Sequence, residues 1–429
     1  MRPVAFLIPI LILLACSLRL PAQAAPYQEM IESKRIALAY DPTNSTTRCE
    51  LAYYQMLAGQ PEQALESYQS VLARDEGNAN ARAGVLWALN SLSRQEEAAA
   101  LAKQYLAAGE SPLLRYHLGN ALLGLGRNFT ARKLYTAVLD DMDDPMIRGL
   151  TMENLAWTYY NLGDMARATD LQSDTYPATG HTPEAGLSAL LRKPRFHIEA
   201  AYGIKTGNTA FWSLGTGTRF NTIRIALGYE QVSLDSTLRR DNYRISATKQ
   251  FVPGDISLTT QYLSGTDQRI YPGYAAALAA TPKAYLGPVL LTARLAGSAA
   301  TYKRHNAYQY DLGLYLRTDP FSIGYQASKV YQDNEAVGSD AQRWVHTFDI
   351  GARVWKGWYA GVYLGSGNIA WYSNPQGGIT DDFEPATGYA GASLSIPITG
   401  HLQTIIYYQY GSSDEDTSHL AYAKLLTWF

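Results

Sequence analysis

The chain has 429 residues and carries 36 Lys and Arg against 38 Asp and Glu, a formal net charge of −2. That balance excludes the basic footprint of a nucleic-acid partner, and the length points to two domains. The two cysteines, Cys16 and Cys49, cannot build a disulfide framework.

At the start, Arg2 precedes an apolar stretch, Val4 to Leu18, that is too short to span a bilayer as a helix. Ala22-Gln23-Ala24 then offers a small-residue cleavage site, so 1–24 reads as a secretory signal peptide and Ala25 as the first mature residue. A competing reading takes Leu13-Leu14-Ala15-Cys16 as a lipobox with Cys16 lipidated. With the signal removed, Cys49 is left alone and reads as a small apolar residue on the first repeat helix. Beyond this segment no run of 18 apolar residues occurs, so no further spanning helix is expected.

Residues 25–176 are rich in Ala, Leu, Glu and Gln, the helix formers. Within them Ala64, Ala98, Ala131 and Ala168 recur at spacings of 34, 33 and 37 residues. Thirteen positions before each stands an apolar residue, Leu51, Val85, Leu118 and Leu155, followed by Ala52, Leu86, Gly119 and Ala156. Tyr68 and Tyr135 fall at equivalent places, and Gly59, Gly126 and Gly163 sit where an inter-helix turn belongs. In this register the segment resembles the tetratricopeptide repeat, a helix–turn–helix unit of 34 residues, with Asp41-Pro42 ending a preceding partial repeat. Such hairpins stack into a superhelix with a concave face. A periplasmic docking surface for a protein partner is expected, with a rigid spacer as the alternative. Residues 177–193, with Pro177, Gly180 and Pro183, read as a linker holding one helical turn near 184–191.

From 194 to 429 the period becomes two, as in Phe321-Ser-Ile-Gly-Tyr-Gln-Ala-Ser328. The strands expected are 195–205, 210–220, 222–235, 241–252, 255–266, 274–285, 289–301, 307–318, 321–333, 342–355, 358–372, 386–399, 402–413 and 418–429. Tight turns lie near Asn221, Pro253-Gly254, Gly287-Pro288, Asp319-Pro320, Lys356-Gly357 and Gly400-His401, and longer links at 267–273, 334–341 and 373–385. Short and long connections alternate as in a transmembrane barrel. The fold expected is therefore an α-solenoid followed by an antiparallel transmembrane β-barrel of about 14 strands, with 12 or 16 as neighbouring counts. The weakest strand is 274–285, which is Ala-rich and contains Pro282, and even parity argues for keeping it.

The two faces differ. Ile223, Ile225, Leu227 and Tyr229, Leu312, Leu314 and Leu316, Phe348, Ile350 and Val354, and Leu394, Ile396 and Ile398 face outward to lipid. Trp212, Trp344, Trp358 and Trp371 suit the interfacial girdles. On the inward parity lie Glu199, Arg219, Arg224, Glu230, Arg244, Arg294, Asp311, Tyr315, Arg317, Asp349, Arg353, Tyr359, Tyr363, Tyr389 and Tyr407, the candidate lumen residues. Arg219, Arg224, Arg317 and Arg353 fall at the short-turn end. They form either a basic ring at the mouth or pairs with Asp311, Asp349 and Glu230 that rigidify a plugged interior. The inward tyrosines offer stacking faces for sugar rings or serve as filler. Tyr271, Trp371 or Tyr372 would plug the lumen if folded inward.

No H-E-x-x-H, G-x-S-x-G or P-loop motif occurs. Gly215-Thr-Gly-Thr-Arg219 lies inside an expected strand and lacks the strand–turn–helix setting of a phosphate site. A Ser/His/carboxylate set assembled across strands, for example His346 with Ser328, is disfavoured because His346 shares the outward parity of Phe348 and Ile350. No enzyme, metal or cofactor is expected.

Two resemblances converge. The order of signal, repeats and C-terminal barrel resembles that of the exopolysaccharide exporters for cellulose, poly-N-acetylglucosamine and Pel. There the barrel is the polymer pore and the repeats bind periplasmic components. The barrel is similar to the YaiO-type outer-membrane family. That likeness rests on Tyr285-Leu-Gly-Pro-Val-Leu-Leu-Thr292 after a Pro253-Gly-Asp turn, and on the tail Leu420-Ala-Tyr-Ala-Lys-Leu-Leu-Thr-Trp-Phe429. Phe429 is expected to act as the membrane-insertion signal, as terminal aromatics do in such barrels. The resemblances imply an outer-membrane location with the repeats in the periplasm. They also imply a passive conduit or accessory pore in envelope polysaccharide export, in contact with lipid, a periplasmic protein and polysaccharide. The alternative is a non-conducting anchor or surface interaction protein serving as scaffold, adhesin or phage-docking site.

Overall fold

The computed structural model describes residues 25–180, 185–192, 195–206, 209–234, 238–266, 272–303, 305–334, 341–355, 357–367, 371–373, 379–381, 388–399, 401–412 and 417–429. The segment 1–24 with Cys16, and the loop residue Tyr271, lie outside them. Contacts divide the chain into two compact units, Met1–Leu125 and Gly126–Phe429. No helix among the described residues is long and apolar enough to cross a membrane.

The first unit is helical: α1 (Ala25–Tyr40), α2 (Ser45–Leu57), α3 (Pro61–Leu72), α4 (Ala79–Ser91), α5 (Gln95–Ala108) and α6 (Pro112–Gly124). Local sequence starts and stops these helices. The side chains of Asn44, Asn78 and Ser111 accept from backbone N–H groups in the first turns of α2, α4 and α6, filling donors a helix leaves open. Gly59 (φ +73°) ends α2 in the left-handed region, and Ser93 (φ +58°) takes the same role after α4. Leu51, Ala64, Tyr68, Val85, Ala98 and Leu118 are buried, as is Gly119. Gly84 allows the closest approach, because any Cβ there would overlap the ring of Tyr68, itself 4% exposed. Gly84→Ala should therefore cost about 1–3 kcal/mol, the usual penalty of overpacking a filled core. A lowered midpoint of the helical far-UV signal in denaturant would register it, and an unchanged midpoint would show that the ring is free to move.

The second unit begins with α7 (Asn128–Asp141), α8 (Pro145–Asn161), α9 (Met165–Thr179) and the short α10 (Ala185–Arg192). Asp144 caps α8, and Ala131, Tyr135, Leu155, Ala156 and Ala168 are buried. Helix α9 runs on through Pro177, so the first residues of the expected linker are helical.

The strands follow: β1 (Arg195–Lys205), β2 (Thr209–Phe220), β3 (Ile223–Leu234), β4 (Leu238–Gln250), β5 (Gly254–Gly265), β6 (Gly273–Leu286), β7 (Val289–Thr301), β8 (His305–Arg317), β9 (Phe321–Asn334), β10 (Ala341–Trp355), β11 (Trp358–Ser366), β12 (Trp371–Ser373), β13 (Ile379–Asp381), β14 (Gly388–Thr399), β15 (Leu402–Ser412) and β16 (Thr417–Trp428). All but β12 and β13 form one closed antiparallel barrel of fourteen strands. It closes through β1 and β16, from His197↔Trp428 to Lys205↔Leu420, and Phe429 and Phe196 exchange backbone hydrogen bonds at the seam. Closure removes the sheet edges. Pro282 fits because the β6–β7 pairing steps from Ala280↔Leu295 to Lys283↔Thr292, so no ladder bond is asked of it.

One expectation fails here. The strand expected over 358–372 ends at Ser366, because Gly367 turns the chain away at φ +113°, a conformation side chains rarely adopt. Trp371 and Tyr372 leave the wall and pair with β13 in a separate two-stranded sheet. Trp371 is thus not a girdle residue on a barrel strand.

Candidate lumen and its inner mouth

Alternation assigns the faces. Ile223, Ile225, Leu227, Leu312, Leu314, Leu316, Phe348, Ile350, Val354 and Ile398 are exposed on the outer wall, and Leu394 and Ile396 are half-exposed. Aromatic rings edge this apolar band at both ends. Toward the long links, Trp212, Tyr229, Tyr243, Tyr262 and Tyr274 form a chain with successive centroids 5.0, 5.0, 6.1 and 5.2 Å apart, and Trp344 is exposed at the same level. Toward the short turns stand Phe196, Phe220, Phe251, Phe321, Trp355 and Phe429, all exposed, with Trp358 edge-on to Trp355. Outward Trp212 and Phe220 lie eight residues apart on β2, about 26 Å along the strand and roughly 20 Å across a tilted wall.

The inner wall is polar and unevenly filled. Glu199 pairs with Lys424 at 2.6 Å and with Arg244 at 3.9 Å. Arg244 and Glu199 meet across two strands because Gly215 and Gly228 lie beneath them, where a Cβ would stand 2.7 Å from Glu199 Cγ and 3.3 Å from Arg244. The G-x-G of β2 is therefore a clearance for long side chains. Glu230 lies 3.8 Å from Arg240. Tyr363, Tyr389, Tyr407 and Tyr422 form an arc, with Tyr407 stacked on Tyr363 at 5.2 Å and on Tyr422 at 4.5 Å. Tyr363 packs over Gly391, Tyr389 over Gly365 and Tyr359 over Gly351. Tyr359 also hydrogen-bonds Ser322. Each of these rings covers a strand glycine.

The facing wall is closed off. Gln309, Asp311, Gln326 and Ser328 are buried, and Gln309 donates to Asp311 at 2.5 Å while Tyr315 donates to Gln326 at 2.8 Å. Above them Leu263, Ala275, Ala300, Tyr302, Ala307, Val330 and Val345 make an apolar cluster. Arg294 stands opposite Gly313 on β8, and Asp349 opposite Gly324 on β9. His346 and Ser328 are not brought together: His346 Nδ1 bonds Tyr325 OH at 2.8 Å on the outer face.

The mouth arginines are placed at the short-turn end, but helices occupy the space they face. Arg353 donates to Gly126 O at 2.8 Å, Arg317 lies 5.6 Å over the Phe129 ring, and Arg219 and Arg195 lie over Tyr160 at 5.8 and 5.1 Å. Arg224 approaches His197 Nε2 at 3.5 Å. Sequence reading missed the partners that hold these helices. Asp319 accepts from the N–H groups of Phe129 (2.8 Å) and Thr130 (3.4 Å), capping α7 from a barrel turn. Arg132 donates to Gly287 O and lies 4.4 Å over Tyr285. Gln250 donates to Gly163 O at 3.1 Å and accepts from Met165 N at 3.0 Å. Asp164 pairs with Arg167 at 2.6 Å and accepts from Tyr285 OH at 3.3 Å. The signal was present: Arg132 stands where earlier repeats carry Leu65 and Ala99, and Phe129 where they carry Glu62 and Glu96.

Among the described residues no group of His, Cys, Asp and Glu is arranged to hold a metal. The tetratricopeptide-repeat family matches residues 49–148. No curated protein matches the chain. Among solved structures, a tetratricopeptide-repeat protein from Parabacteroides merdae is 20% identical over 39% of this chain, with a TM-score of 0.34. The match spans 63% of that protein, under two thirds of its length. The outer membrane protein Omp33 of Acinetobacter baumannii is 10% identical over 55% of this chain and 98% of its own, at 0.35. OccK5 (OpdH) of Pseudomonas aeruginosa is 8% identical over 55% of this chain and 97% of its own, at 0.31. The chain is thus a tetratricopeptide-type helical region followed by a closed barrel of fourteen antiparallel strands.

Proposed function

We propose that the protein is an outer-membrane conduit serving envelope or exopolysaccharide export, with its repeats docking a periplasmic protein partner. The observation that carries this reading is the Glu199–Lys424–Arg244 cluster, whose side chains keep 20%, 30% and 31% of their exposure inside the closed wall. Ionised groups at membrane depth are costly unless water reaches them. Fourteen strands also enclose more space than side chains fill in an eight-stranded barrel. The apolar outer band between two aromatic girdles supports the membrane location, and the resemblance to polysaccharide exporters supports the cargo.

A non-conducting anchor is the second reading, favoured by the buried wall at Gln309, Ser328, Val330 and Val345. Single-channel recording of the refolded mature chain in a planar bilayer separates the two. The conduit predicts discrete openings that neutral or acidic oligosaccharides block, and Lys424→Glu shifts selectivity toward cations. A folded barrel that never opens at any voltage, in the native chain or with α7–α9 released from the rim, is an anchor.

A further inference from the structure

We infer that helices α7, α8 and α9 are a stopper seated in the short-turn mouth, and that the conduit opens when they lift. This rests on the conduit reading. Contacts reach the rim at β1 and at five successive turns: Tyr160 under Arg195 and Arg219, Thr169 at Asn221, Gln250 at Gly163 and Met165, Arg132 at Gly287, Asp319 at Phe129 and Thr130, and Arg353 at Gly126. A fragment that merely brushed the barrel would touch one side of the rim. This one follows most of it.

The chemistry of the seat favours a separable fit over a permanent weld. Its contacts are mostly helix-end hydrogen bonds, a side-chain amide bridging one N–H and one C=O, and guanidinium groups over aromatic rings, with Tyr159 edge-on to Tyr285 at 5.4 Å as a ring contact beside them. Each of these groups finds water once the helices lift, and Arg132 Nε, buried without a partner in the seat, gains one, so lifting strands no polar group. A fixed plug would instead bury a continuous apolar surface, as obligate interfaces do. Beneath the helices lies a cavity of about 300 Å³ lined in part by Asp164, Lys283, Tyr285, Arg317, Ser322 and Asp349. A space of that size with Asp164, Lys283, Arg317 and Asp349 on its otherwise largely apolar wall has room and partners for water, which hydrates these charges while the mouth is shut.

Sequence order says where lifting starts. Gly126, Phe129, Thr130 and Arg132, which touch three of the turns, directly follow the repeats of the first unit. A partner that engages those repeats pulls first on this segment, and its loss leaves Gln250 and Asn221 as the remaining turn contacts. Arg219, Arg317 and Arg353, which touch this helical segment, are thus latch residues, and partner binding becomes the signal to open.

The test uses the full mature chain in planar bilayers, with Cys49→Ser as background. Arg132→Ala with Asp319→Ala removes the first contacts and should raise open probability about tenfold or more, since a charge-assisted bond and a cation–π contact are lost together. Thr169→Cys with Asn221→Cys, whose native side chains touch at 3.2 Å, allows a short thiol–thiol cross-linker to hold the helices down. Cross-linking should abolish openings in both the native and the loosened seat, and cleaving the linker should restore them. Heat-modifiable gel mobility verifies folding, and thiol labelling at position 169 reports release. Equal conductance in the locked and released states overturns the stopper but leaves the conduit standing. Silence in both states, with labelling showing release, overturns the stopper and the conduit together.

Discussion

Leu312→Arg should destabilise the barrel in lipid vesicles by about 2–4 kcal/mol, the cost of a lipid-facing arginine near the bilayer midplane. Leu312 lies near the middle of β8, is 61% exposed, and has Leu314 and Tyr310 exposed on the same face. In a water-soluble sheet this change would be close to neutral, because surface substitutions away from special features fall within about 0.5 kcal/mol. The same substitution thus has two very different costs depending on what the outer wall touches. Exposed apolar residues recur on strand after strand, including Ile225, Leu258, Leu278, Leu295, Ile350, Leu364, Ile406 and Leu425, far beyond the patch size that a soluble monomer tolerates. Reversible urea unfolding in vesicles, followed by tryptophan fluorescence, measures the difference. Leu312→Ala serves as a control that removes apolar area without adding charge. If the arginine variant unfolds at the wild-type urea concentration, the wall does not face lipid at that depth.

Much of this architecture can be read from local pattern. Alternation is a property of each strand alone, and Pro253-Gly254, Gly287-Pro288 and Asp319-Pro320 mark turns without reference to anything distant. Even the weak strand carrying Pro282 was recoverable from parity, since an odd count would move the short turns to the other end. The same period puts Glu199, Arg244 and Tyr407 on one face, where Glu199 pairs with Arg244 and Tyr407 stacks on Tyr363. What lies opposite those residues is not local. Arg353 meets Gly126 and Asp319 meets Phe129 across 227 and 190 positions of sequence, and no periodicity in either half announces such a meeting. The departure of β12 from the wall was also hidden, because Trp371-Tyr372 has the composition of a strand and only the backbone at Gly367 redirects it.

The mouth arginines show how one position can carry more than one role. Read alone, four cations at one end of a pore imply a selectivity ring for anions. In the structure Arg219, Arg317 and Arg353 spend their faces on Tyr160, Phe129 and Gly126, and Glu230 goes to Arg240. A guanidinium that stacks on a ring or grips a carbonyl still carries its charge. On the stopper proposed above, the same residues would line the mouth once the helices lift, so latch and lining would be successive uses of one set of side chains.

Acidification should weaken the helical repeats by up to about 3 kcal/mol between pH 6.5 and pH 4, through one residue. His117 on α6 is buried at 7% exposure, and its Nδ1 has no hydrogen-bond partner. The ring of Tyr116 meets its imidazole in an edge arrangement, with centroids 5.2 Å apart. Burial pushes its imidazole down to about 4 from an ordinary 6.5, because a charged ring there would lose its water without gaining a partner. In the unfolded chain the ring takes up its proton near pH 6.5, and in the folded chain only near pH 4. Between those values the unfolded state holds more protons, so stability falls as pH falls and levels off below the folded value. Above pH 6.5 both states are neutral and the full contribution is present. Thermal melts of the helical signal across this range, for the native chain and for His117→Leu, isolate the effect. The leucine variant should lose less stability on going from pH 7 to pH 4.5, and an unchanged gap between the two melting temperatures at both pH values would rule His117 out as the source.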